Sequence, residues 1–213
     1  MTRSEEKPVE PFVAWAQQRE AARLGMWLFL ASEAMMFGSL IMIAWFYRWQ
    51  HPDGVAAAVS GLHDRLAAMN TVILVTSSLL MTLALNADGR RQQRRQLVLL
   101  LGAAGLGGLF LGFKGLEYFL EYREGVLPGF TAMSPLAQPA SKLFMNVYFF
   151  ATVLHGVHVL VAVVLVLGLS WRLKYGDLPR RARDSRLEMT GLYWHLVDAI
   201  WLLLFPTLYL VGR

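Results

Sequence analysis

The sequence predicts an all-α integral membrane protein with five transmembrane helices, the N-terminus cytoplasmic and the C-terminus outside. Three observations carry that prediction. Of 213 residues, 56% are hydrophobic and 16% charged, whereas a typical water-facing domain carries about 25% charged and about 45–50% apolar residues. The apolar residues gather into stretches long enough to cross a hydrocarbon core of about 30 Å, which takes about 20 residues. The basic residues gather in alternate connections, the pattern that fixes orientation in a bilayer.

The first stretch, 24–47, has Glu33 as its one formal charge, and the second, 66–85, has none. The third, 97–120, contains Lys114 and Glu117; the fourth, 143–171, lacks Asp, Glu, Lys and Arg but holds His155 and His158. The fifth, 189–212, carries Asp198 alone. Together they take more than half the chain, leaving connections too short for a second domain, so residues 24–213 read as one membrane domain preceded by a cytoplasmic arm at 1–23. That arm mixes Arg3, Lys7, Arg19 and Arg23 with four glutamates and lacks the apolar core of a secretory signal. The arm and the connections 86–96 and 172–188 hold fourteen Lys and Arg against five on the other side, which places the N-terminus inside.

Cysteine is absent, so disulfides, thiolate metal sites, a cysteine nucleophile and covalent c-type haem attachment are excluded. No Walker-type phosphate loop occurs, and the glycine cluster at 102–112 has Phe110 where a dinucleotide fingerprint needs its third glycine. The net charge of +5 reads as a topology signal, because no basic patch interleaved with aromatics accompanies it.

An ionisable residue near the bilayer centre costs about 2.5–3.5 kcal/mol on insertion scales, so each one in a span needs a partner or water. At a rise of about 1.5 Å per residue, Glu33 and Asp198 fall about 4 Å from the middles of their spans. His155 and His158 bracket the middle of the fourth span, and His195 lies one turn from Asp198. Carboxylates and imidazoles of the first, fourth and fifth spans therefore share one layer. Tyr148, Thr152, His155 and His158 follow steps of 4, 3 and 3 and occupy one helix face. His195 and Asp198, three apart, can pair with each other or with a neighbouring helix. These residues read either as structural pairs between helices or as proton-handling groups. Metal or haem ligation fits less well, because the two Glu-x-x-His units of a di-iron site are missing and the three histidines do not face one another in pairs. No metal ligand is therefore assigned.

On the third span, Gly105, Gly108, Gly112 and Gly115 form a stripe expected to be a helix contact, since small residues let backbones approach in lipid. Lys114 and Glu117 lie on the opposite side, spaced to pair, at a depth from which Lys can snorkel. Asn70 and Thr71 are expected to hydrogen-bond between helices.

Three strings are more specific: GMWLFLASE (Gly25 to Glu33), HGVH (His155 to His158) and YWHLVDAIW (Tyr193 to Trp201). In order and placement they resemble subunit III of the haem-copper respiratory oxidases in its short, five-helix form, with Asn70-Thr71, Glu117-Tyr118, Arg172 and Glu188 as supporting matches. The resemblance implies a non-redox accessory subunit of a terminal oxidase in the bacterial cytoplasmic membrane, with no catalytic centre in this chain. On that reading haem and copper reside in partner subunits, subunits I and II are the partners, and cytochrome c or quinol is met only through the complex. The implied roles are steadying the catalytic subunit, supporting proton uptake and binding phospholipid. Glu33 corresponds to the family's intramembrane glutamate and Arg172 to a group that meets a lipid headgroup, with Trp194 and Glu33 as further lipid contacts. The long form has two further helices before the segment matching 24–47, and its lipid cleft lies between that pair and the rest, so lipid sites do not carry over intact. Quinol oxidase and nitric oxide reductase-associated homologues remain alternatives. A proton-coupled transporter is the competing class, although Pro206 interrupts only one span and no half repeats the other.

Overall fold

The computed structural model describes residues 11–60, 62–87, 92–123, 139–175 and 180–210. Among them the only regular structure is helical: α1 (Trp15–Gln50), α2 (Pro52–Ser60), α3 (Asp64–Leu85), α4 (Gln93–Arg123), α5 (Pro139–Tyr175) and α6 (Arg180–Phe205), the last continued by a π-helical turn, Pro206–Leu210. Among the described residues, five helices are long and apolar enough to cross a membrane.

α1 starts at Trp15, inside the predicted arm, because residues 15–24 contain no glycine or proline and are rich in helix formers. It stops at Gln50 because Pro52 disfavours helical geometry at His51, whose N–H still closes the last turn onto the Tyr47 carbonyl. The same proline serves as the first residue of α2, where its missing N–H costs nothing. Hydropathy alone does not reveal α2, which is too short to span. It buries Gly54, Val55, Ala58 and Val59 and is tied to α5 by the Ser141 hydroxyl donating to the Gly54 carbonyl at 2.7 Å.

Helices α3, α4, α5 and α6 pack each on the next, and α3 meets α6 to close a ring. α1 lies outside the ring against α5 and α6, touching through a narrow seam of Leu30, Phe37 and Ala44, seven residues apart. The outward surface is apolar, with Met35, Val72, Val164 and Leu203 exposed, as expected where lipid replaces water. Several hydroxyls in the spans are satisfied locally: Ser32, Ser39 and Ser77 each donate to the carbonyl three residues back. The α1 N-terminal end is stitched by side chains. Gln93 donates to the Leu173 carbonyl, Gln96 to that of Ala84, and Arg183 to Gln96. Arg19 and Arg23 both reach Glu188, at 3.0 and 3.2 Å, bringing the start of α1 onto α6.

The glycine expectation is corrected. Gly105, Gly108, Gly112 and Gly115 look outward, and a Cβ at any of them would meet nothing within 4 Å, so they make no helix contact among the described residues. The close approach belongs to Gly107, where a Cβ would lie 2.8 Å from Val163 and 3.0 Å from the Trp194 ring, and to Gly191, where it would lie 2.5 Å from Leu85. The stripe points outward because the opposite face of α4 buries Lys114 and Glu117, at 4% and 0% exposure. Burying those groups against partners outweighs leaving them toward lipid. Lys114 accordingly does not snorkel.

Candidate functional site

The predicted polar residues do not form one continuous chain. The structure sorts them, with others, into three clusters and an isolated histidine.

The first cluster joins α1 to α5. His158 Nε2 lies 3.0 Å from Glu33 Oε2, and His158 Nδ1 lies 2.7 Å from the Leu154 carbonyl oxygen. A carbonyl only accepts, so Nδ1 must carry hydrogen. The Nε2–Oε2 contact then needs one further proton, supplied either by an imidazolium facing a carboxylate or by a carboxylic acid facing a neutral ring. The pair therefore holds one proton in either form. Tyr193 on α6 packs its ring 5.9 Å from that of Phe29, which stands one turn before Glu33.

The second cluster joins α3 to α6. His195 meets Ser78 at 3.0 Å through Nδ1 and Thr82 at 3.5 Å through Nε2. Asp198, buried one turn on, has Ser78 as its polar neighbour. His195 and Asp198 are thus linked through α3 rather than to each other. Nearby, Trp201 Nε1 donates to Thr71 at 3.0 Å, the interhelical bond expected of Thr71. Asn70 is fully buried, and its amide meets no partner among the described residues.

His155 stands between these clusters at 0% exposure. It stacks on Trp201 at 5.2 Å and meets Phe110 and Phe37 edge-on, with neither ring nitrogen hydrogen-bonded among the described residues. It shares a helix face with His158, yet the ring interior surrounds it with aromatics and gives it no carboxylate.

The third cluster lies toward the α2 end of the ring and is the one sequence reasoning missed in most of its parts. Lys114 Nζ donates to Glu117 Oε2 at 3.0 Å and to the Tyr209 hydroxyl at 2.7 Å. The Tyr209 hydroxyl lies 2.6 Å from Glu117 Oε1 and 2.7 Å from the Tyr148 hydroxyl. Tyr148 also reaches Glu117 Oε1 at 3.1 Å and Glu121 Oε1 at 3.0 Å. The spacing 114, 117, 121 signals one face of α4, and Tyr148 was already on the histidine face of α5. Tyr209 gives no such signal, because Pro206 interrupts the α-helix and the π-helical turn changes the period that would place it.

A groove of roughly 650 Å³ opens on the outside of the bundle between α1, α5 and α6, walled by Met26, Phe29, Val164 and Leu165 and rimmed by Arg172 and Arg186. Phe29 and Tyr193 also line it, and the Tyr193 hydroxyl lies 3.4 Å from the His158 carbonyl oxygen. Trp194, expected at a lipid contact, requires correction. It is buried at 2% exposure, its ring set against Gly107 on α4, because it points into the ring while its neighbour Tyr193 faces the groove. Among the described residues no three His, Asp or Glu side chains converge as a metal-binding group.

Each polar cluster is closed between helices of one bundle that presents apolar side chains to its surroundings. The protein is thus of the integral membrane class, an α-helical bundle that gathers its polar clusters between its helices. Its residues 15–213 match the family described as Cytochrome c oxidase subunit III. The chain is 29% identical over 197 residues to cytochrome c oxidase subunit 3 of Thermostichus vulcanus, covering 89% of this chain and 87% of that one. It is 32% identical over 203 residues to a protein of Aeropyrum pernix named heme-copper oxidase subunit I+III, covering 92% of this chain and 23% of that longer one. A probable quinol oxidase subunit 3 of Staphylococcus epidermidis is 27% identical over 202 residues, with 91% and 90% covered. The chain belongs to the cytochrome c oxidase subunit III family, the accessory membrane subunits of haem-copper oxidases that associate with subunit I.

Proposed function

We propose that this chain is the non-redox subunit III of a cytochrome c-oxidising haem-copper oxidase in a bacterial cytoplasmic membrane. The 24–213 bundle faces its N-terminal end to the cytoplasm, as the excess of Lys and Arg at that end supports. Subunits I and II are its partners, and they carry the haem and copper. Its contribution is to steady subunit I, to hold a phospholipid and to assist proton uptake. The Glu33–His158 pair carries this reading: one proton is held within the membrane span, next to a groove whose rim is basic. A guanidinium is a good partner for phosphate, so Arg172 and Arg186 suit a lipid headgroup while Met26, Val164 and Leu165 suit an acyl chain. The lipid set is therefore Arg172, Arg186 and the groove wall, with Glu33 one turn beyond Phe29 of that wall and Trp194 left out. His195, Asp198 and His155 act as supports that fix α3, α5 and α6 around the pair.

A tag on this chain should retrieve a haem-copper core, and the retrieved complex should oxidise reduced cytochrome c. Oxidation of a quinol in its place would assign the chain to a quinol oxidase, the reading favoured by the Staphylococcus relative. Recovery of the chain alone, with its own visible absorbance or with proton flux in liposomes, would overturn the accessory role. Glu33→Gln should slow proton uptake by the complex while leaving its assembly intact.

A further inference from the structure

We propose that the N-terminal end of the α1–α6 cleft is a headgroup pocket for a phospholipid that carries a polyol, a sugar-like set of hydroxyls, on its phosphodiester. The inference rests on the lipid reading of the groove and adds the class of lipid. A second cavity of about 430 Å³ lies between the first turns of α1 and α6, lined by Trp15, Gln18 and Arg19 of α1 and by Asp184, Ser185 and Arg186 of α6. Ala22, Ser185 and Arg186 line this cavity and the apolar groove alike, so the two adjoin at Arg186. Along both helices the order is the same: the polar cavity spans 15–22 and 182–186, and the groove spans 22–29 and 185–193. A lipid laid in that order has its acyl chain against Phe29 and Tyr193 and its phosphate between Arg172 and Arg186. Whatever the phosphate carries then falls in the second cavity.

The size and the lining choose the headgroup. The volume falls within the roughly 300–1,000 Å³ of small-molecule sites, which is more than a bare phosphate fills. A hydroxyl both donates and accepts, and the lining offers both: the Asp184 carboxylate and the Gln18 carbonyl accept, the Arg186 guanidinium and the Gln18 amide donate, and Ser185 does either. The Trp15 indole adds an apolar face against which the C–H side of a polyol can lie. Arg19 is held in place by Glu188, which also takes Arg23, at 3.0 and 3.2 Å. Counting Arg23 and Glu188 at the rim, three guanidiniums stand against two carboxylates, a balance that repels an ammonium headgroup and suits an anionic phosphodiester with a neutral polyol.

The test is native mass spectrometry of the delipidated oxidase complex reloaded with lipids of identical acyl chains. Phosphatidylinositol is the polyol probe, phosphatidylmethanol has the same phosphodiester charge without hydroxyls, and phosphatidylethanolamine carries an ammonium. Phosphatidylinositol should be retained about tenfold over the other two, as one or two added hydrogen bonds contribute. Ala182→Trp, at a position that lines the second cavity and not the groove, should abolish that advantage while leaving retention of phosphatidylmethanol unchanged. Asp184→Ala, an exposed position, should reduce the advantage severalfold without touching the fold. Equal retention of phosphatidylinositol and phosphatidylmethanol, or an advantage that survives both variants, overturns the headgroup pocket and leaves the groove as a lipid site. Preferential retention of phosphatidylethanolamine overturns the polyol. Inositol 1-phosphate, which lacks acyl chains, should fail to displace the lipid at equal concentration; displacement would make a free polyol phosphate the ligand and overturn the proposal. Retention of none of the three lipids would overturn the lipid reading of the groove itself, and the pocket with it.

Discussion

The Lys114 cluster and the Glu33–His158 pair both place charge within the membrane, yet they sit in opposite surroundings. Lys114 and Glu117 are 5% and 0% exposed by side chain, enclosed by two phenols of other elements. Glu33 and His158 are 15% and 13% exposed, on the seam where α1 leans on the ring. In the first, low polarity strengthens each bond and also the penalty for leaving any member alone. In the second, partial exposure is what the proposed exchange of a proton would need. The contrast teaches that the sealed cluster holds the ring together, while the seam is where the lipid and proton traffic proposed above would pass.

Breaking the sealed cluster should have the largest effect. Lys114→Met leaves the Glu117 charge buried without its cation and should cost about 3–5 kcal/mol, read as a lowered melting temperature of the complex or failure to assemble. The next effect sharpens the contrast between inner and outer faces of α4. Gly107→Leu drives a side chain into Val163 and Trp194 and should cost about 1–3 kcal/mol, whereas Gly108→Leu should leave the melt of the chain itself unchanged. Glu33→Gln comes third. The amide can still donate to His158 Nε2 while Nδ1 donates to Leu154, so stability should move by about 1 kcal/mol or less even as proton uptake slows. The smallest effect belongs to the exposed contacts of Arg19 and Arg23 with Glu188. Arg23→Ala should change the melt by about 0–1 kcal/mol, and less at high salt than at low.

How much of this was legible differs from residue to residue. The pairing of Lys114 with Glu117 follows from their spacing on one helix, and the bond from Thr71 to another helix was anticipated from its polarity within a span. The partners of Glu33 and His195 were not, because they come from helices more than a hundred positions away in sequence. The glycine stripe misled for a membrane-specific reason. In water the apolar face of a helix marks the interior, but here both faces are apolar, and small residues suit either a helix contact or the outward surface. Trp194 and Tyr193 show the same ambiguity, as adjacent aromatics on one helix with opposite destinations.

By itself the sequence determined the solvent, the five spans and the family, because length, hydropathy and the strings around Glu33, His155 and Tyr193 are properties of the chain read along one dimension. Only the tertiary structure decided which polar groups meet. It set Glu33 against His158, buried Lys114 among two tyrosines and turned the glycines outward. Such contacts depend on helix rotation and neighbour choice, which are settled by the cost of an unpaired polar group in an apolar medium rather than by local preference.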